Sequence, residues 1–176
     1  SDVTRWVTEQ VCESLERLGK TKLYGLLLHR SDELLASHSA ELIHGLSDLK
    51  NNELVQKIGV SIYNPDELQM VLKKFKLDLV QVPLNVIDRR IPNTGWLDRL
   101  KDIGVEIHVR SVFLQGLLLM GRSQIPNKFS HWSDLWDQWH KKLVEQRFSP
   151  LEASLAYPLS LEQVDRVIVG VDSAPQ

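Results

Sequence analysis

The sequence predicts an α/β protein in which parallel strands alternate with helices. The first observation behind this prediction is that short runs rich in valine, isoleucine and leucine recur at least five times along the chain. The second is that the segments between these runs are long enough to carry a crossover helix. A doubly wound open sheet and a (β/α) barrel are both compatible with this pattern. The absence of GxGxxG and GxxxxGK[ST] weakens the open nucleotide-binding sheet.

Hydrophobic periodicity predicts the elements one after another. Apolar residues at steps of three and four predict helices, and apolar residues in short runs predict strands. The predicted order is a helix over 2–19, a strand over Leu23–His29, a helix from 32 to about Asn51, a strand over Lys57–Tyr63, a helix from Pro65, a strand over Leu77–Val82, a helix over Trp96–Ile103, a strand over Val105–Ser111, a helix from about Ser133 to Gln146, a helix over Leu151–Pro158 and a strand over Asp165–Val171.

Local signals mark the starts of three of these helices. Ser31, followed by two acids, predicts the capping residue of the second helix. The sequence NPDE at 64–67 combines a capping amide, a proline at the first helical position and a glutamate that can close a capping box. The sequence SPLE at 149–152 repeats this arrangement with a serine.

The overall composition excludes several classes of function. The chain has 176 residues and a net charge of −2, so it forms one domain with a core and has no basic field that would attract nucleic acid or an anionic membrane. No apolar run approaches the roughly 20 residues that span a bilayer. The single cysteine, Cys12, excludes an internal disulfide, and the scattered histidines predict no metal site. These features favour a cytoplasmic protein.

The run Leu23–Arg30, LYGLLLHR, ends in an imidazole and a guanidinium group. As a strand it alternates, so that Leu27 and His29 lie on one face and Tyr24 on the other. A face that ends in histidine at the carboxyl end of a strand suggests a functional site. The alternative is a histidine that is satisfied within the core.

The fourth strand carries a polar ladder. Its valines and isoleucine face the helices, so Glu106, His108 and Arg110 face the opposite side. These groups are expensive to bury unpaired, so we expect them to pair internally or to line a wet cavity. In the same way Ser61 and Gln81 lie near the ends of the two preceding strands.

His29, Ser61, Gln81 and Arg110 therefore converge on one rim, where the sites of parallel α/β proteins lie. An amide and a hydroxyl suit a flat carboxamide, and a histidine suits the polarisation of a carbonyl oxygen. The rim offers no pair of carboxylates and no GxSxG elbow.

Five motifs resemble the aldo/keto reductases, in the family's order: LLLHR, KIGVSIY, LVQVPLNVIDRR, HVRSVFLQGLL and VIVGVDSAPQ. The resemblance implies that His29 is the active-site histidine and that Ser61 and Gln81 hold the nicotinamide carboxamide. Asn85 lies nearby and is expected to bind substrate. Two positions depart from the family pattern: Ile62 stands where asparagine is usual, and Arg110 stands where an aromatic residue often stacks on the nicotinamide.

The resemblance also implies the sites of the cofactor phosphates. Arg110 and the stretch after it, with Ser111, Phe113, Gln115 and Gly116, would wrap the cofactor near its pyrophosphate. The turn after the last strand would bind phosphate through Gly170, Asp172 and Ser173. The implied cofactor is NADPH, with NADH as an alternative.

In fold, the resemblance implies the last five or so units of a (β/α)8 TIM-type barrel. Residues 1–176 would form one domain that is truncated at its N-terminus and just after its last strand, since the family's catalytic Asp, Tyr and Lys would lie before Ser1. Five strands leave two open edges, which a missing N-terminal segment or a homodimer would cover.

In function, the resemblance implies an NADPH-dependent reductase of a small aldehyde or ketone, possibly sugar-derived, in the full-length form. We expect little or no turnover from this chain alone. The alternative is a non-catalytic binding or assembly module of the same fold.

Overall fold

The computed structural model describes residues 2–171 and residue 173 as a parallel five-stranded sheet that alternates with helices. The strands are β1 Leu23–Leu28, β2 Val55–Ser61, β3 Leu79–Pro83, β4 Glu106–Arg110 and β5 Arg166–Val167. The α-helices are α1 Asp2–Leu18, α2 Ser39–Asn51, α3 Pro65–Lys74, α4 Arg90–Asn93, α5 Trp96–Asp102, α6 Ser133–Gln146 and α7 Pro150–Leu159. Short 3-10 turns occupy Ser31–Leu34, Leu117–Leu119, Arg122–Gln124 and Asn127–Trp132.

The strand order is β1-β2-β3-β4-β5, the order of the chain itself, and every pair is parallel. Each crossover therefore moves to the next neighbour in the same direction. A doubly wound sheet reverses direction at a switch point, whereas a barrel does not. The sheet thus has the winding of a (β/α) barrel and not of a doubly wound sheet, and all its strands end at the same rim.

The core lies between the sheet and the helices. Ile107 and Val109 of β4 are completely buried, and they pack with apolar residues of the other strands and of α1, α2, α3 and α5. Glu106 and Arg110 lie on the opposite face of β4 and remain half-buried. The alternation predicted for this strand is confirmed.

The predicted starts of α3 and α7 are also confirmed. Both helices begin with proline and are closed by a complete capping box, Asn64 with Glu67 and Ser149 with Glu152. Helix α6 has the predicted bounds of Ser133 and Gln146.

The prediction of one continuous helix from 32 to about Asn51, capped by Ser31, is wrong. A 3-10 turn covers Ser31–Leu34, and α2 begins only at Ser39. Ser31 does not cap a helix, because its hydroxyl group donates a hydrogen bond to the carboxylate of Glu67 instead. A contact with α3 thus takes the place of the local cap.

The predicted alternation of the first strand is also incomplete. Leu23, Leu26 and Leu28 pack against the core beneath the helices, while the hydroxyl group of Tyr24 reaches Glu106 on the opposite face. The strict period of two is therefore broken between Leu23 and Leu26.

The last strand is shorter than predicted. Only Arg166 and Val167 pair as a strand, although the amide of Ile168 still donates to the carbonyl oxygen of Val109 at 2.8 Å. In the described part of the chain, β5 has a neighbouring strand on one side only. Hydrogen bonds to that single neighbour therefore determine how far β5 extends.

A second, smaller cluster lies away from the sheet. Leu117, Leu118 and Trp136 are buried there, with Trp139 packed beside them. The two tryptophans in this cluster, Trp136 and Trp139 of α6, therefore serve packing. Within residues 2–171 and 173, no helix has both the length and the apolar character that a membrane span requires.

Candidate active site

The rim at the carboxyl ends of the strands brings together the four predicted side chains. Ser61 is the last residue of β2, and it is in register with Gln81 of β3. Arg110 is the last residue of β4, and His29 follows β1 directly. His29 is exposed in the described part of the chain.

Ser61 lies at the centre of this group. Its hydroxyl group donates to Oε1 of Gln81 at 3.3 Å and accepts from Nε of Arg110, also at 3.3 Å. Ser61 is buried, and the other two side chains are half-buried. Three neighbouring strands therefore contribute to one hydrogen-bonded unit.

Two further contacts hold the guanidinium group of Arg110 in place. Nη2 donates to the carbonyl oxygen of Ile62 at 3.1 Å, and Nη1 donates to the hydroxyl group of Ser111 at 3.1 Å. The guanidinium carbon also lies 4.5 Å from the centre of the Tyr63 ring, which is a cation–π contact. Every nitrogen of the group is thus engaged.

Tyr63 connects this unit to His29 and was not among the predicted site residues. Its hydroxyl group lies 3.4 Å from Nε2 of His29, and the two rings meet edge to face with centroids 6.3 Å apart. The sequence held one signal for it, because Tyr63 follows β2 at the same rim as Ser61.

The polar groups at this rim fit a carboxamide. In the described part of the chain, no acceptor lies within hydrogen-bond distance of the amide nitrogen of Gln81, since only its oxygen is engaged by Ser61. Gln81 can therefore donate to a carboxamide oxygen, while the Ser61 hydroxyl group keeps a lone pair that can accept from a carboxamide nitrogen.

The segment after β4 has an unusual backbone. Ser111, Leu114, Gln115 and Gly116 all have positive φ, between 48° and 86°. Leu114 and Gln115 adopt this conformation without being glycine, at an energetic cost. Of the predicted phosphate-site residues in this segment, Ser111 contacts the rim group through Arg110, whereas Phe113 packs against the core.

Asn85 anchors the same segment. It is buried, its amide nitrogen donates to the carbonyl oxygen of Ser111 at 3.0 Å, and its side-chain oxygen accepts from the backbone amides of Ile87 and Asp88. These contacts occupy the Asn85 side chain with backbone groups. A direct contact between Asn85 and substrate stays a prediction.

The turn after β5 is exposed at Gly170 and Ser173, and the structure records no hydrogen bond from these two residues to the rim group. The third predicted member, Asp172, lies outside the described residues. A phosphate site in this turn stays a prediction.

A second polar cluster lies on the same face of the sheet, at the start of β4. The carboxylate of Glu106 accepts hydrogen bonds from Tyr24, Lys57, His108 and Arg166. Burial by itself would raise the pKa of Glu106, but these four donors outweigh burial and hold its pKa well below the usual range. The expectation that the ladder of β4 pairs internally is confirmed for Glu106 and His108.

A cavity of about 620 Å³ opens beside His29, on the side of α1. Its lining is mainly apolar, with Trp6 and Leu42 among the wall residues. His38 and Glu33 contribute a polar pair, with Nε2 and Oε2 3.1 Å apart. His29 therefore lies between Tyr63 and an apolar space.

The family model of the aldo/keto reductases matches residues 2–176, nearly the whole sequence. The chain belongs to the aldo/keto reductase family. A curated relative, the NADH-specific methylglyoxal reductase of Escherichia coli (strain K12), is 29% identical over 113 residues, which are 64% of this chain and 34% of that protein. The chain thus matches about a third of the length of this reductase.

Solved aldo/keto reductases share the fold. The aldo-keto reductase AKR11C1 from Bacillus halodurans, in its apo form, superposes with a TM-score of 0.72 at 23% identity, over 97% of this chain and 59% of that protein. The glycerol dehydrogenase AKR11B4 from Gluconobacter oxydans gives a TM-score of 0.71 at 19% identity, over 93% of this chain and 54% of that protein. The prediction of a partial barrel of this family is confirmed.

Proposed function

We propose that this aldo/keto reductase chain carries the part of the active site that orients the nicotinamide and the carbonyl group in an NAD(P)-dependent reduction of an aldehyde or ketone. The observation that carries the proposal is the contact chain from Gln81 through Ser61, Arg110 and Tyr63 to His29. It combines a carboxamide-binding pair with an imidazole at the rim where sites of this fold lie.

Gln81 and Ser61 have the task of fixing the carboxamide. The amide nitrogen of Gln81 donates to the carboxamide oxygen, and the hydroxyl oxygen of Ser61 accepts from its nitrogen. When bound, the nicotinamide cofactor supplies the hydride. Because the two residues come from neighbouring strands of a rigid sheet, they fix which face of the ring is turned towards substrate.

His29 has the task of orienting the substrate carbonyl. Its exposed imidazole can donate a hydrogen bond to a carbonyl oxygen, and the hydroxyl group of Tyr63 restrains its ring. The proton donor of the family belongs to the strands that the resemblance sets before Ser1, so we expect little or no turnover from residues 1–176 alone.

Cofactor titration tests the proposal. NADPH and NADH are added separately to the 176-residue chain, and binding is followed by nicotinamide fluorescence. We expect NADPH to bind more tightly, and Gln81→Leu to weaken binding about tenfold because a carboxamide oxygen loses its donor. Gln146→Leu, an exposed change on α6, serves as the matched control.

Two results would overturn the proposal: no binding of either nucleotide by the native chain, or equal binding by the native chain and Gln81→Leu. A lower Kd for NADH than for NADPH would instead correct the choice of cofactor towards NADH, the cofactor in the name of the Escherichia coli relative.

One observation favours a second candidate, a binding module without catalysis. Ile62, at the position where the family usually has asparagine, is completely buried, so its side chain offers the cofactor nothing. Tight NADPH binding without reduction of a model aldehyde by the full-length protein would favour this candidate. Under either function we propose a cytoplasmic location, in keeping with the exposed free thiol of Cys12.

A further inference from the structure

Arg110 is a half-buried cation without a counter-ion. Of the arginines among residues 2–171, only Arg110 and Arg122 are half-buried, and the others are exposed. Arg122 pairs with the carboxylate of Asp137. For Arg110, by contrast, the described part of the chain provides no carboxylate within ion-pair distance. A partly desolvated guanidinium group without an anion loses hydration and gains no opposite charge in return.

The hydrogen bonds of Arg110 confirm that its charge is uncompensated. A guanidinium group has five N–H donors. Three are taken by neutral oxygens: the hydroxyl groups of Ser61 and Ser111 and the backbone carbonyl group of Ile62. Two N–H donors therefore remain, one on each terminal nitrogen. The three contacts hold the group in place and leave it able to bind an anion.

The position of Arg110 restricts which anion it can meet. The ring of Tyr63 covers one face of the guanidinium group at 4.5 Å, and the same tyrosine contacts His29. Nε of the same group donates to Ser61, whose hydroxyl group donates in turn to Gln81. An anion bound by Arg110 is therefore close to the group that would hold the carboxamide and, across Tyr63, to the imidazole that would orient the carbonyl.

We propose that Arg110 binds the carboxylate of the substrate, and that the substrate class is a small 2-oxo acid or an aldehyde with a carboxylate next to its carbonyl carbon. This inference rests on the proposed function, because the carbonyl group has to lie at His29. A carboxylate one bond from that carbon then lies towards Tyr63 and Arg110. A cofactor phosphate offers the same oxyanion chemistry, so the experiment separates the two sources.

Pyruvate and methylglyoxal form a matched pair of probes, since the first carries a carboxylate where the second carries a neutral aldehyde. Calorimetric titration of the 176-residue chain gives their Kd values for the native protein, Arg110→Gln, Arg110→Lys and the control Arg99→Gln, an exposed arginine on α5. We expect the native chain to bind pyruvate at least tenfold more tightly than methylglyoxal. Arg110→Gln abolishes this preference, Arg110→Lys keeps part of it, and Arg99→Gln keeps all of it.

The second part of the experiment uses inorganic pyrophosphate and NADPH as ligands. The proposal is supported if Arg110→Gln weakens pyruvate binding at least tenfold more than it weakens NADPH binding. It is overturned if the substitution weakens pyrophosphate and NADPH but spares pyruvate, because the anion then belongs to the cofactor. It is also overturned if the native chain binds pyruvate and methylglyoxal equally, a result that needs no variant to fold.

The two proposals fail in different ways. If the native chain does not bind NADPH but binds pyruvate in a way that depends on Arg110, the proposed function is rejected and an anion site at Arg110 is kept. Binding of NADPH that depends on Gln81, without any preference for pyruvate, would keep the proposed function and reject the carboxylate substrate.

Discussion

On the face of the sheet opposite the helices, the ionisation of single residues depends on neighbours from other strands. Glu106 is the clearest case, since its four donors come from β1, β2, β4 and β5. The sequence predicted that the polar ladder of β4 either pairs internally or lines a wet cavity, because unpaired charges are costly to bury. It did not predict Tyr24 as a partner, since strict alternation assigned Tyr24 to the other face of β1.

Glu106 makes the stability of the fold depend on pH. Its pKa is lower in the folded chain than in the unfolded chain, so its contribution is complete above the ordinary value of 4.5 and is lost as the pH falls below it. We expect Glu106→Gln to lower the free energy of unfolding at neutral pH by about 1 to 3 kcal/mol. Urea unfolding from about pH 7 to about pH 3 should show the difference between the native chain and the variant shrinking as the solution becomes acidic.

Glu162→Gln is the matched control, because Glu162 is exposed and forms no ion pair in the part of the chain that the structure describes. A difference between native and Glu106→Gln chains that stays constant over this range would contradict the assignment of a lowered pKa.

Among the helices and strands, features that depend on residues close in the sequence were predictable, whereas features that depend on residues far apart in the sequence were not. Helices α3 and α7 were predictable because their capping boxes lie within four consecutive residues. The break between Ser31 and Ser39 was not, because Ser31 binds Glu67, which is 36 residues away in the sequence. The contacts of Tyr63 at the candidate site depend in the same way on β1 and β4.

The cap of α3 gives a prediction for Glu67. Its carboxylate accepts from the backbone amides of Tyr63 and Asn64 as well as from the hydroxyl group of Ser31. Asn64→Ala removes one cap and should lower the free energy of unfolding by about 1 kcal/mol. Glu67→Ala should cost more than Asn64→Ala in the same chemical denaturation, because it also releases Ser31.

Gln69→Ala, an exposed change within α3, controls for helix propensity. Equal losses for Asn64→Ala and Glu67→Ala would mean that the contact with Ser31 contributes nothing to stability.

The pairing of β2 with β3 gives a prediction for Gly59. A Cβ atom at this position would lie 2.1 Å from the carbonyl oxygen of Leu79, and this backbone atom cannot move aside without breaking the sheet. We therefore expect Gly59→Ala to lower Tm sharply or to prevent folding. Gly170→Ala, in open space, should leave Tm unchanged. A Gly59→Ala chain with native Tm would contradict the close approach of these strands.

At the scale of the whole molecule, the sheet has a centre and two edges. Among the described residues, β2, β3 and β4 have a neighbouring strand on each side, while β1 and β5 have one each. The sequence predicted the number and order of the strands through the recurrence of apolar runs and the family resemblance. It overestimated β5, because its apolar residues indicate a strand wherever they occur, whereas pairing needs a neighbour. Coverage of the open edges by an N-terminal segment or by a second copy stays a prediction.

Hydrogen exchange should reflect this gradient across the sheet. Amides of β3 should exchange most slowly, those of β1 faster, and those of β5 fastest, because a strand that is paired on both sides opens only with the sheet as a whole. Exchange measured by mass spectrometry on the native chain tests the order. Equal protection of β5 and β3 at low protein concentration would contradict the description of β5 as a short edge.

The alternation in β4 has a consequence for changes in chain length. Ile107 and Val109 face the helices, and His108 and Arg110 face the rim side. An in-frame deletion of the Ile107 codon would turn every following side chain of this strand to the opposite layer, which places a guanidinium group in the apolar core and removes it from Ser61. Deletion of two codons would return the following side chains to their original faces of the sheet. Strand β4 therefore accepts changes of length only in pairs of residues, whereas the surface turns between Gly121 and Trp132 carry no such restriction.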